Sequence, residues 1–230
     1  MRQRSTGLLA LAGGGEFRPD CSEMDRALLA ALGLPRPRVI ILPTAAALEG
    51  PERAAANGVD YFTALGADVR SVMILSRTDA SDPEVLASLQ DADLYYFAGG
   101  SPRHLLETMR DTPAWAFIRR HYEEGVALAG SSAGAMVMGE KMLSGMSGGW
   151  QEALGLVPRL GLIPHLERLA PDRLENLRSS LGAESNLLGV DSATACVKVD
   201  GEWRVWGKGR ASLYAGGEAR FFAHGDAFRL

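Results

Sequence analysis

Short apolar runs recur along the chain, and between them apolar residues return at the three- or four-residue spacing of an amphipathic helix. Gly7–Ala12 reads as a strand that ends in Gly13-Gly14-Gly15, and Asp20–Leu32 as a helix that stops near Gly33. Arg38–Leu42, "RVIIL", is a second strand, followed by "PTAAA" and a helix through about Leu65. Asp68–Leu75 reads as a third strand, Asp82–Ala92 as a helix, and Leu94–Ala98, "LYYFA", as a fourth strand ending in Gly99-Gly100. Helices over Pro102–Arg110 and Pro113–Glu124 precede a fifth strand, Val126–Ala129. This alternation predicts an α/β fold: a mostly parallel central sheet, right-handed crossovers and helices on both faces. Functional groups in such sheets gather at the carboxyl ends of the strands. The three strands that run straight into glycine, at Gly13–Gly15, Gly99-Gly100 and Gly130, are therefore expected to share one edge.

The texture changes after Leu143. "LSGMSGGW" reads as a loop, "LGLVPRLGLIPH" as a pair of short strands or turns, and Pro171–Ser180 as a helix. From Leu187 apolar and polar residues alternate around Asp200-Gly201 and Gly216-Gly217, the turn pairs of antiparallel hairpins that would close the sheet. Neither a repeat nor a linker interrupts residues 1–230, so a single domain is expected.

Composition narrows the partners. The 24 Lys and Arg stand against 28 Asp and Glu, and a formal charge of −4 supplies no attraction for nucleic acid or an anionic membrane. Cys21 and Cys196 lie far apart without metal-type spacing, which suggests free thiols in a reducing, cytoplasmic setting. The start, "MRQRSTGLLALAGGGEF", is basic and then apolar. Its apolar run is short for a signal peptide and fits a first buried strand better.

The chemistry concentrates in "VALAGSSAGAM", Val126–Met136. A Gly-x-Ser-x-Gly between a buried strand and a helix forces the serine into a tight turn with its hydroxyl above the sheet. Ser132 occupies that position, and Ser131 is the variable residue. The Ala133 amide would sit where an oxyanion forms, with a second donor at Gly100 or its neighbour. The same small residues would also serve simply to pack a helix close to the sheet. A serine nucleophile needs a base, and the histidines are His104, His121, His165 and His224. His121 lies in the charged "RRHYEE" and reads as solvated, His224 lies in the tail, and His104 opens a helix. His165 ends the apolar "LGLIPH" and would present its ring at a strand terminus. It follows Ser132 too closely for a general α/β-hydrolase, where the histidine comes near the C-terminus.

"GGGE", "ILPTAAA", "YYFAGG", "GSSAGAM", "LGLIPH" and "LLGVDSATA", in that order, resemble the aspartyl dipeptidase (dipeptidase E) and cyanophycinase family of serine peptidases. That family's fold is related to class I glutamine amidotransferases. The resemblance implies Ser132 as nucleophile, His165 as general base, Gly100 and Ala133 as the oxyanion site, and neither metal nor cofactor. Members carry a glutamate, which orients the histidine, in the segment matching "GVDSA"; here Ser192 stands at that place. Asp191 beside it, or Glu152 in "GWQEALGLVP", could supply the carboxylate instead, with Ser192 itself or water as further alternatives. Ser101-Pro102 replaces the polar pair that follows the glycines in cyanophycinases. The arginines after the histidine are reduced to Arg168 and Arg173, which argues against cyanophycin as substrate.

The resulting expectation is a serine peptidase of small peptides, in which Glu16 could pair with a free α-amine and Arg103 or Arg168 with an acidic side chain or terminal carboxylate. Preference for N-terminal aspartate comes from the resemblance alone. Two rivals are an inactive relative that binds a peptide or amino acid, and an amidotransferase-like hydrolase, which would want a cysteine at the elbow. Met136, Met138 and Met142 read as core filler. Trp203, Trp206 and Tyr214 read as sheet packing or a subunit contact, as in a homodimer.

Overall fold

The computed structural model describes residues 6–144, 149–182 and 184–230. The basic start and residues 145–148 of the loop expected at Leu143–Trp150 lie outside the described residues. The elements run β1 (Leu9–Ala12), α1 (Ser22–Ala31), β2 (Arg38–Leu42), α2 (Pro51–Ala64), β3 (Asp68–Ser71), α3 (Pro83–Ala87), β4 (Leu94–Phe97), α4 (Pro102–Met109), α5 (Pro113–Glu123), β5 (Ala127–Ser131) and α6 (Ala133–Met136). Then follow β6 (Gly139–Leu143), β7 (Trp150–Glu152), β8 (Val157–Pro164), α7 (Pro171–Leu181), β9 (Asn186–Val190), β10 (Thr194–Val199), β11 (Glu202–Gly207), β12 (Ala211–Ala215), β13 (Glu218–Phe222) and β14 (Ala227–Phe228).

An eight-stranded sheet has the order β14-β11-β10-β1-β5-β4-β2-β3. From β3 to β1 every pair is parallel, and β10, β11 and β14 continue it antiparallel. Strand residues alternate between two cores, because successive side chains point to opposite faces. Ala10, Ala12, Val39, Ile41, Leu94 and Tyr96 meet α1 and α2 on one side. Leu9, Leu11, Ile40, Leu42, Tyr95 and Phe97 meet α4, α5 and α6 on the other. Most of these side chains are fully buried, each worth about 1.5–3 kcal/mol for the larger aliphatics and Phe. Met136, Met138 and Met142 are buried in the second core, as the sequence suggested. Trp203 stacks on Phe228 in the same core.

The C-terminal strands do more than close the central sheet. The β10–β11 hairpin turns at Asp200-Gly201 and extends it, but β12–β13, turning at Gly216-Gly217, belongs to a second, six-stranded sheet of order β13-β12-β9-β8-β6-β7. One face of that sheet, with Leu160, Leu162, Leu188, Val190 and Leu213, joins the core above β1, β4 and β5. Its other face packs Ile163 and Leu187 against Leu177 and Leu181 of α7.

Three elements depart most from the predicted bounds. The third strand stops at Ser71 because the amides of Leu75 and Ser76 donate to the Asp79 carboxylate (2.9 and 2.8 Å), which turns the chain out of the sheet. The helix expected at Asp82–Ala92 spans only Pro83–Ala87; Asp82 caps its start, and the chain reverses at Asp91 with φ 61°. The expected pair of short pieces at "LGLVPRLGLIPH" includes one continuous strand, β8, which absorbs Pro158 beside an irregularity at Arg159 (φ 54°).

Candidate active site

The order β1-β5-β4 places the three glycine-ended strands side by side and parallel, so their carboxyl ends form one edge. Ser132 leaves β5 with φ 50° and ψ −110°, a region costing roughly 1–3 kcal/mol for a residue with a side chain. Two close approaches require the flanking glycines: a Cβ on Gly130 would strike the Gly134 backbone, and one on Gly134 would strike Phe97. The turn is therefore the strained strand-to-helix elbow that projects a hydroxyl. The amides of Ala133 and Gly100 donate to no protein acceptor among the described residues.

His165 arrives from the second sheet, at the end of β8, in a left-handed conformation (φ 52°, ψ 40°). Its amide donates to the Gly13 carbonyl at 2.9 Å. Its Nε2 stands 3.1 Å from Ser132 Oγ, and its Nδ1 stands 2.9 Å from Ser192 Oγ. The Ser192 hydroxyl donates to Glu167 Oε1 (2.6 Å), and the Ser192 amide donates to Glu167 Oε2 (3.0 Å). Burial, helped by the Arg168 cation, lowers the proton affinity of His165 below that of an ordinary imidazole, against the opposing pull of Glu167 and Glu16. Partial burial pushes the Glu167 carboxyl up. The two bonds from Ser192 outweigh it, so the group sits below the usual carboxylate range.

Of the side chains expected to orient the histidine, Ser192 contacts the ring, and Asp191 and Glu152 do not. Asp191, in the connection between β9 and β10, accepts from the Arg210 amide at 2.9 Å. Glu152 pairs with Lys141 on the surface. Neither carboxylate contacts His165. Glu167 was missed by the sequence reading, although a carboxylate two residues after the candidate base was the signal available.

Ser132 and His165 open onto a cleft of about 410 Å³ that is also lined by Glu16, Phe17, Arg18, Asn57, Gly100 and Arg168. Glu16 ties the strand ends together: Oε1 accepts from the Gly99 amide (2.7 Å) and Oε2 from the Ser131 hydroxyl (2.8 Å). Ser131, the unspecified residue of the motif, is thus a fully buried bonding partner. Arg168 lies on the cleft, whereas Arg103 points to solvent, paired with Glu107 one helical turn on (2.7 Å). Arg18, absent from the expected set, joins the lining. The other histidines are engaged elsewhere. His104 bonds the Leu75 carbonyl, and His224 accepts from the Gly207 amide. His121 is half-buried on Tyr95 and Phe117 rather than solvated. No group of three or more potential metal ligands occurs among the described residues, and no helix among them is long and apolar enough to cross a membrane.

A serine on such an elbow with an imidazole in contact, at the carboxyl edge of a mixed α/β sheet, fits the hydrolases that act on acyl bonds, and comparison with known proteins narrows that class to peptide bonds. Residues 8–205 match the profile of peptidase family S51, and the chain belongs to that family. It is 27% identical to the cyanophycinase of Trichormus variabilis over 215 residues, covering 87% of this chain and 71% of that one. It is 33% identical to the cyanophycinase of Synechococcus elongatus over 172 residues, 67% of this chain and 52% of that one. The crystal structure of a peptidase from an acI-B1 actinobacterium superposes with a TM-score of 0.88 at 29% identity, covering 99% of this chain and 98% of that one.

Proposed function

We propose that the protein is a cytoplasmic serine peptidase that hydrolyses small peptides with a free N-terminus, with Ser132 as nucleophile and His165 as general base. The observation that carries this reading is the 3.1 Å contact between Ser132 Oγ and His165 Nε2 inside the cleft. The low proton affinity of His165 keeps Nε2 unprotonated near neutral pH, ready to accept the serine proton. Ser132 Oγ attacks the scissile carbonyl while His165 takes its proton, and the amides of Gly100 and Ala133 hold the developing oxyanion. The imidazolium returns that proton to the leaving amine. Water, deprotonated by His165, then cleaves the acyl-enzyme and frees the serine.

The cleft volume suits a substrate of about dipeptide size. Arg18 and Arg168 supply cations for an acidic side chain or a terminal carboxylate. Glu16 keeps lone pairs beyond its two bonds to Gly99 and Ser131, and these can take an α-amine. Preference for N-terminal aspartate rests on the family resemblance, and the same cations are compatible with it. Cys21 and Cys196, both buried thiols, suit a reducing compartment.

The test is intact mass after incubation with a fluorophosphonate, on wild type and Ser132→Ala. A single adduct lost in the variant is expected; folded wild-type protein without an adduct overturns the nucleophile assignment. Cleavage of Asp-X dipeptides no faster than Ala-X would remove the acidic preference alone.

A further inference from the structure

We infer that Glu167 positions the His165 imidazole through the hydroxyl of Ser192, in place of a carboxylate in direct contact with the ring. The inference rests on the reading of Ser132 and His165 as nucleophile and base. With neutral His165 accepting from Ser132 at Nε2, the ring proton sits on Nδ1 and donates to Ser192 Oγ. That oxygen then has one proton to give, and it points at Glu167 Oε1. Every donor is used once and all run toward the carboxylate, an arrangement in which each bond polarises the next.

The carboxylate is itself held. Its second oxygen takes the Ser192 amide, and Arg168 Nε lies 3.3 Å from the first. A hydroxyl pinned at both its oxygen and its own backbone amide by one carboxylate has little freedom to rotate away from the ring. Local folding makes this placement automatic. Glu167 sits in the 3-10 turn Leu166–Arg168 that starts at His165, so one turn carries both the base and its carboxylate. The loop at Gly14 accepts from the amide of Ala193, next to Ser192, and so holds the other half. The Asp191 carboxylate is spent on Arg210 and cannot substitute.

The relay has two consequences. It fixes the tautomer of His165 that leaves Nε2 free, and it places a negative charge one hydroxyl away from the imidazolium that forms during attack. The charged groups facing the ring are Glu167, Arg168 and Glu16. Removing Glu167 leaves the cation of Arg168 less opposed, so the imidazole binds its proton more weakly.

The experiment measures the second-order rate of fluorophosphonate acylation against pH for wild type, Ser192→Ala, Ser192→Thr and Glu167→Gln. Ser192→Ala and Glu167→Gln are expected to slow acylation by about 10²-fold or more, short of the roughly 10⁴ lost when a directly bonded triad carboxylate is neutralised. Ser192→Thr, which keeps the hydroxyl, is expected to stay within about threefold of wild type on the same ground. Glu167→Gln should also move the acid limb of the profile to lower pH, a shift that mere loosening of the turn would not cause. Ser192→Ala and Glu167→Gln both at wild-type rate overturn the relay. So does a slow Ser192→Ala beside a Glu167→Gln with unchanged rate and limb, since the hydroxyl would then act alone. Wild-type protein that fails to acylate at all overturns the underlying nucleophile assignment instead.

Discussion

The imidazole of His165 rests against the Cα of Gly14, so closely that a Cβ there would come within 2.5 Å of Nε2. Gly14 also has φ 117°, a conformation that side chains rarely adopt. Gly14→Ala must therefore displace either the loop or the ring. Since a misplacement of about 1 Å can cost 10²-fold in rate, acylation of Ser132 should fall by about that factor, together with a lower thermal midpoint. Fluorophosphonate kinetics and a melting curve on the variant check this. A variant that acylates at the wild-type rate would show that the ring has another productive seat.

The proton affinity of His165 gives the pH dependence. The base works only when neutral, and burial with Arg168 lowers its pKa, so wild-type acylation should persist below the ordinary imidazole range. Arg168→Gln removes the cation that contributes to the lowering. Its acid limb should move up in pH, opposite in sign to the shift expected for Glu167→Gln. An acylation profile of Arg168→Gln superimposable on wild type would contradict this.

Asp191 and Glu152 should be separable from the chemistry. Asp191→Ala loses the bond from the Arg210 amide and should cost about 1 kcal/mol of stability while acylation stays at the wild-type rate. Glu152→Gln, on an exposed ion pair with Lys141, should change neither. Denaturant melts and acylation rates on both variants decide the matter, and slow acylation in either would bring that carboxylate back into the site.

Asp25 should make stability depend on pH. It is buried on α1 with the Tyr61 hydroxyl donating to it at 2.8 Å, and burial pushes its carboxyl up to about 7. The folded pKa lies above the unfolded one, so this group's contribution is fully present below about 4 and is lost as pH rises to about 7, at up to about 1.4 kcal/mol per unit. Asp25→Asn cannot titrate. Relative to wild type, its unfolding free energy should therefore rise by about 2 kcal/mol between pH 5 and pH 8. Urea melts at both pH values measure that difference, and a constant difference would mean that Asp25 titrates normally.

The central sheet was legible because its strands, buried on both faces, write themselves as apolar runs, and because glycines mark the ends at Gly13, Gly99 and Gly130. The six-stranded sheet was not, for its members are distant in sequence: β8 pairs with β6 and β9 only through long connections, and Pro158 and Arg159 break its pattern. Ser132 and His165 were picked out by local context, a turn and a strand end. Glu167 carries no such mark. It lies in a polar surface turn, and its bond to Ser192 spans 25 residues, a pairing created by β8 and β9 ending side by side in the second sheet. Arg103 and Arg168 stood as alternatives in the sequence, but the helical register of α4 sends Arg103 toward Glu107.

That the serine and its imidazole come from different sheets has a consequence for biosynthesis. A chain emerging from the ribosome completes the elbow by Gly134, yet the strand that delivers His165 comes later and Ser192 later still. Any truncated or half-made product ending before residue 165 holds the hydroxyl without the imidazole, so the proposed chemistry gives it no activated serine. Hydrolytic power would switch on only when the second sheet closes over the first, which makes the finished fold its own safeguard against a stray protease in the cell.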